Sequence, residues 1–197
     1  MNRFHIVSFC GALALASAAA NAQMVKFVRG TITSFDGKVL SIKSREGQEL
    51  QLQLVENAPV AVAKAIKFED IKQGDFIGST TVKRADGALV AVEIHYLPPT
   101  APQGHMNWDL QPGSMMTNGN ADAIVEQAGK HELTVKYKDG MQKILVPEGT
   151  PLVRAVPGSQ SDLRAGEYVF VSAQTQPDGK MTALRVQVSK DGVKPPQ

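Results

Sequence analysis

The chain has 197 residues, 43% of them apolar and only 6% aromatic, with 21 Lys and Arg against 19 Asp and Glu. The two signs are interspersed, and there is neither a basic run of five residues nor a set of interleaved aromatic platforms, which argues against nucleic-acid binding. One cysteine, Cys10, is present, so no disulfide framework is available.

The N-terminus reads as an export signal. Arg3 supplies the positive charge, residues 6–19 form an apolar run too short to span a bilayer, and Ala20-Asn21-Ala22 is an A-x-A cleavage site. Cleavage after Ala22 removes Cys10 and with it any thiolate nucleophile or cysteine metal site. The expected destination of residues 23–197 is the bacterial periplasm, where a fold need not use disulfides.

Beyond the signal the dominant period is two, as in half-buried strands. "VRGTITSF" (28–35), "VLSIKS" (39–44) and "ELQLQLV" (49–55) alternate apolar and polar residues, with Asp36-Gly37 and Glu46-Gly47 as turns. "FEDIKQGD" follows as one helical turn closed by Gly74, and then "FIGSTTVKR" (76–84) and "ALVAVEIHYL" (88–97), joined by Asp86-Gly87. The second half repeats this order. Leu40 and Gly47 match Leu133 and Gly140 at a spacing of 93. From Pro59 onward the spacing is 92, as in Asp70-Ile71 with Asp162-Leu163, Gly74 with Gly166 and Asp86-Gly87 with Asp178-Gly179. The expected fold is therefore all-β: two tandem small OB-like barrel modules, residues 23–97 and 121–190, joined by a Pro/Gly-rich linker at 98–120 and followed by a tail at 191–197. Curling each unit into a barrel buries its apolar face and removes sheet edges. A sandwich of the two halves is the alternative.

Motifs for nucleophilic or phosphate chemistry are absent: the sequence holds no G-x-S-x-G, no S-x-x-K and no P-loop. Asp36, Asp86, Asp139 and Asp178 precede or adjoin turn glycines and read as turn residues. "HELTV" (131–135) lacks the second histidine of a zinc-protease motif, and as a strand it sends His131 and Glu132 to opposite faces. The chain reads as non-enzymatic.

The distinctive stretch is "GHMNWDLQPGSMMTNGN" (104–120), which holds the only tryptophan and three of seven methionines. Trp108, Asp109, Leu110 and Pro112 are expected to form an inter-module clamp or to flank a ligand groove, with Pro112-Gly113 and Asn118-Gly119 as bends. His105, His95, Met106 and Asp109 are the candidate metal ligands, for copper(I), zinc or nickel, since imidazole with thioether or carboxylate suits those ions. No tight ligand spacing marks a structural site. The cofactor expectation is therefore none, with such a metal as the alternative.

"WDLQPGSMMTNG" (108–119), "LTVKYKDG" (133–140), "VPEGTPLV" (146–153) and "DGVKPPQ" (191–197) resemble an uncharacterised family of exported bacterial two-repeat β-barrel proteins, many automatically labelled as a metal ABC transporter permease. The resemblance carries over no catalytic residues. A permease needs several apolar spans of ~20 residues, and none follows the signal. The label then implies at most a periplasmic accessory of a metal transport system. The expected function is a periplasmic binding or adaptor protein, with an envelope protein or a glycan as partner.

Overall fold

A computed structural model describes residues 25–127 and 130–196. The expected signal peptide, residues 1–22, lies outside them. The described chain is all-β, with thirteen strands and two short 3-10 turns, and none of its helices is long and apolar enough to cross a membrane.

The strands run β1 (Val25–Phe35), β2 (Val39–Ser44), β3 (Glu49–Leu54), β4 (Val60–Ala65), β5 (Phe76–Lys83), β6 (Leu89–Tyr96), β7 (Gly104–Asn107), β8 (Ser114–Gln127), β9 (Lys130–Tyr137), β10 (Gly140–Val146), β11 (Leu152–Pro157), β12 (Tyr168–Thr175) and β13 (Met181–Val188). They close into five-stranded rings. One ring runs β1-β2-β3-β13-β12, closed by β12–β1; the other runs β5-β6-β10-β9-β8, closed by β8–β5. Each ring therefore mixes strands from both halves of the sequence.

This departs from the expected boundaries. The strands of residues 23–97 do not close on one another, nor do those of 121–190. The cause is the pair β4–β11, two strands that the period-two pattern does not mark. They lie antiparallel between the rings, with Ala63 opposite Ala155, and β4 also pairs β13 while β11 pairs β6. Each carries the chain from one ring to the other, so the free edges of β1 and β3 are completed by β12 and β13. Closure removes those edges, and the rings are barrels rather than the alternative sandwich.

Backbone hydrogen bonds recur in matched pairs across the two rings. Ile66 N donates to Leu152 O and Gly158 N to Val60 O, while Ile94 N donates to Pro151 O and Val186 N to Pro59 O, all at 2.9–3.0 Å. Bulges recur as well: one falls in β1 between Ile32 and Ser34 and one in β8 between Ala121 and Ala123. A second pair interrupts the β5–β6 and β12–β13 ladders. Bulges sharpen strand twist and allow so few strands to close.

Inward side chains fill each ring separately. Ile32, Leu40, Ile42, Leu52, Val169 and Val186 are among those packed in the first. Ile77, Ile94, Leu133, Val135 and Ile144 occupy the second, with Phe68 from the first 3-10 turn (Phe68–Asp70) and Ile71 just after it. Leu163, just after the second turn (Gln160–Asp162), enters the first core.

Two further differences concern residues 98–120. The segment is not strandless: it contains β7 and the first half of β8, which pair as a hairpin, Gly104↔Asn118 through Asn107↔Met115. Asn118-Gly119 makes no bend, because both residues lie inside β8. Gly119 is there for space, since a Cβ would sit 2.3 Å from the Lys136 carbonyl oxygen; Gly30 meets the Lys43 carbonyl oxygen in the same way.

Candidate functional site

The outer faces of the two rings look at one another across β4 and β11. On the first ring, strands β1, β12 and β13 set out two cross-strand rows. Phe27 pairs with Ser172, which pairs with Arg185; Arg29 pairs with Phe170, which pairs with Gln187. On the second ring, β8, β5 and β6 set out the counterpart rows Met116–Thr80–Glu93 and Asn118–Gly78–His95. At the spacing of 92, Arg185 thus stands where the other wall has Glu93, and Phe170 where it has Gly78. The two walls share a plan and differ in chemistry.

Between them lies a cleft of about 370 Å³, within the size range of small-molecule sites. Phe27, Phe170, Trp108, Met106 and Met116 supply much of its apolar lining, and residues 97, 98, 101 and 102 line its rim. Ala155 of β11 and Pro196 of the tail also border it. Arg185 is its only Lys, Arg, Asp or Glu.

The β7–β8 hairpin reaches from the second ring to the first. Its tip, residues 108–113, is tied by Ser114, whose Oγ lies 2.9 Å from Trp108 O and 2.8 Å from Gln111 O. Asp109 then takes both arms of the Arg29 guanidinium, at 2.9 and 2.8 Å, and its carbonyl accepts from Arg45 Nη2 at 3.0 Å. Arg29 is 3% exposed although it sits on an outward face. The Phe170 ring (4.9 Å) and the Trp108 ring (5.6 Å) flank its guanidinium, and Phe27 packs on both rings. A forked, stacked pair of this kind specifies geometry as well as attraction.

The four residues expected at the clamp therefore separate. Trp108 and Asp109 make the inter-ring contacts, and Trp108 also lines the cleft. Leu110 is half-buried in the tip and Pro112 is exposed in the turn. The candidate metal ligands also separate. His95 and Met106 line the cleft. His105 occupies the opposite face of β7 from Met106, with its Nδ1 2.8 Å from Thr117 Oγ1, and Asp109 is held by Arg29. Among the described residues no group of three His, Cys, Asp or Glu comes together as a metal site would require. His131, in β9, stacks on Phe68 at 4.4 Å.

His95 is the unusual polar group of the cleft. It is 6% exposed, and its Nδ1 is buried without a hydrogen bond, 3.7 Å from Glu93 Oε1. Burial pushes its pKa down to about 4, so the ring is neutral at pH 7. Its other nitrogen packs over Gly78, where a Cβ would lie 2.7 Å from His95 Nε2, 2.9 Å from Asn118 Oδ1 and 3.0 Å from Leu97 Cδ1, so only a glycine fits beneath them. Asn118 Oδ1 is itself buried and unpartnered, although its Nδ2 donates to Pro102 O. Two polar atoms thus converge over a missing side chain.

Phe27, Arg29, Phe170, Arg185 and Gly78 did not stand out in the sequence. Aromatic residues at outward positions of alternating strands were a usable signal, as in Phe27 between Lys26 and Val28. So was the charge reversal between Glu93 and Arg185 at equivalent positions.

The fold and the cleft define an all-β protein with a closed five-stranded barrel and an apolar cleft beside it. The chain matches no protein-family model, no curated protein and no solved structure.

Proposed function

We propose that this chain is a non-enzymatic binding or adaptor protein of the periplasm, and that the cleft between the rings is its ligand site. The observation that carries the reading is the divergence of the two walls: positions that share one plan hold Phe170 and Arg185 on one side and Gly78 and Glu93 on the other. The close approach of His95, Asn118 and Leu97 accounts for Gly78, but packing gives no reason to bury His95 Nδ1 and Asn118 Oδ1 beside it without partners. The chain is further read as two copies of a six-strand unit that exchange strands through β4 and β11. Residues 104–113, inserted before the second copy's first long strand, act as the clamp that sets the spacing of the walls.

Titration with the neutral fluorophore N-phenyl-1-naphthylamine tests the reading. One saturable site is expected, abolished by Ala155→Trp, which fills the floor of the cleft. A protein whose melting is cooperative but which gives no saturable signal would refute it.

A second reading, a copper(I)-binding accessory, is favoured by one observation: His95, Met106 and Met116 border the same cleft, and thioether with imidazole is a soft donor set. Anaerobic titration with copper(I) would show one equivalent bound in the wild type and none in a Met106→Leu/Met116→Leu double variant. Equal binding in both proteins would remove this reading.

A further inference from the structure

We infer that the ligand of the cleft is a small aromatic carboxylate that carries a hydrogen-bond donor at the end away from its carboxylate. This rests on the cleft being a binding site and adds the chemistry of what it takes.

Charge sets the first requirement. Arg185 is half-buried in the wall and, among the described residues, makes no ion pair or side-chain hydrogen bond and shares the cleft with no Asp or Glu. The lining is mostly aromatic rings, thioethers and prolines, with Ser172 and Gln187 as the neutral polar groups on its own wall, and these do not solvate a guanidinium as water does. An anion is the natural complement, and a planar carboxylate matches the two-pronged fork better than a point charge. Arg29, the other arginine on this wall, is already taken by Asp109, so the vacancy belongs to Arg185 alone. Ser172, directly across the ladder from Arg185, adds a hydroxyl beside it.

Shape sets the second requirement. Phe27 and Phe170 stack at 5.2 Å on the same wall, and Trp108 closes over them. A volume of about 370 Å³ suits a single-ring ligand better than a chain polymer, and flat rings against aromatic walls gain beyond simple area.

The opposite wall sets the third. Asn118 Oδ1 can only accept, is buried, and has no partner. It and His95 Nε2 close over Gly78, each within 3 Å of where a Cβ would lie, and both residues line the cleft. A hydroxyl or N–H placed there satisfies a group whose isolation otherwise costs free energy. Phe170 and Gly78 occupy corresponding positions on the two walls, so one wall supplies the aromatic plate and the other the polar pair that closes over the glycine.

The test uses the purified protein and its own reporter. Trp108 is the only tryptophan in the chain and lines the cleft, so its emission reports occupancy. Three closely matched probes are titrated up to ~10 mM, the range of weak single-ring ligands: 4-hydroxyphenylacetate, its des-hydroxy analogue phenylacetate and its isosteric amide 4-hydroxyphenylacetamide. The expected order is 4-hydroxyphenylacetate tightest, phenylacetate weaker through loss of the donor, and the uncharged amide weakest. Arg185→Gln is expected to weaken 4-hydroxyphenylacetate by about ten- to hundredfold and to weaken the uncharged 4-hydroxyphenylacetamide by much less. Gly78→Ala is expected to erase the difference between the two carboxylates.

Three results would overturn the inference: an amide that binds as tightly as its carboxylate, an Arg185→Gln protein that retains carboxylate affinity, or no saturable response to either carboxylate. Because the probe comparison is made on the wild type, a poorly folding variant does not remove it. If N-phenyl-1-naphthylamine saturates the cleft while the carboxylates fail, the binding site stands and its assigned ligand class does not. If all of them fail, the proposed function goes too.

Discussion

Replacing Asp109 with alanine isolates what the hairpin tip contributes. The Arg29 side chain is 2% exposed and that of Asp109 57% exposed. Removing one partner of a fully buried pair costs about 3–5 kcal/mol, whereas an exposed pair contributes about 0–1 kcal/mol. Here the cation is buried but its partner is open to solvent, so water can reach the vacated Nη atoms. A value midway, about 2 kcal/mol, follows, or a fall in Tm of about 4–8 °C for a chain of this length. Arg29→Met should cost less, about 1 kcal/mol, because a flexible apolar side chain fills the slot between Phe170 and Trp108 and Asp109 remains solvated. The double variant should be no less stable than Arg29→Met alone, giving a coupling of about 2 kcal/mol. Urea melts followed by circular dichroism supply the free energies, and Trp108 emission should shift to the red in Asp109→Ala as the tip loosens. Strict additivity, or an Asp109→Ala protein within about 0.5 kcal/mol of the wild type with unchanged emission, would refute the reasoning.

Three further outcomes follow from particular contacts. The His95 pKa is pushed down to about 4 in the folded protein against ~6.5 in the unfolded chain. Between those values the unfolded state takes up a proton that the folded state refuses, so stability falls as pH drops from about 6.5 to about 4. The urea midpoint of wild type should decline more over that window than that of His95→Gln; equal declines would reject the assignment. Gly30→Ala and Gly119→Ala each drive a Cβ to 2.3 Å from a backbone carbonyl oxygen, where little can give. Each should cost about 3 kcal/mol or more in chemical melts, and Gly37→Ala, which meets nothing within 4 Å but has φ 95°, separates crowding from backbone strain. Finally, a fragment comprising residues 23–100 should show no cooperative melt as a monomer, and mixing it with residues 101–197 should restore one. A monomeric fragment that melts cooperatively would contradict the mixed rings.

The period of two in "VLSIKS" and "FIGSTTVKR", the Asp-Gly turns and the repeated spacing were enough to read strands and an all-β fold. They report local conformation and which face is apolar, and those properties belong to short windows of chain. β4 is hard to read because "VAVAKA" is a largely apolar run without alternation, and such a run does not distinguish a strand paired on both edges from other buried segments. Asn118-Gly119 misled for a related reason. The dipeptide is the usual signature of a turn, yet here a close approach of the Lys136 carbonyl demands the glycine.

What the sequence determined by itself was the set of elements and their faces, together with the expectation that residues 104–120 matter. Which strand completes which ring was decided by tertiary structure alone. Edge pairing depends on backbone groups that every strand carries alike, so nothing in the side chains of β1 names β12 rather than β5 as its neighbour. The same holds for the cleft. Arg185, Phe170, Gly78 and His95 are each ordinary residues on alternating strands, and only the crossing of β4 beside β11 turns their faces toward one another. Burial by a distant part of the chain is what makes Arg29 an anchor and His95 a neutral histidine, and no short window of sequence contains that information.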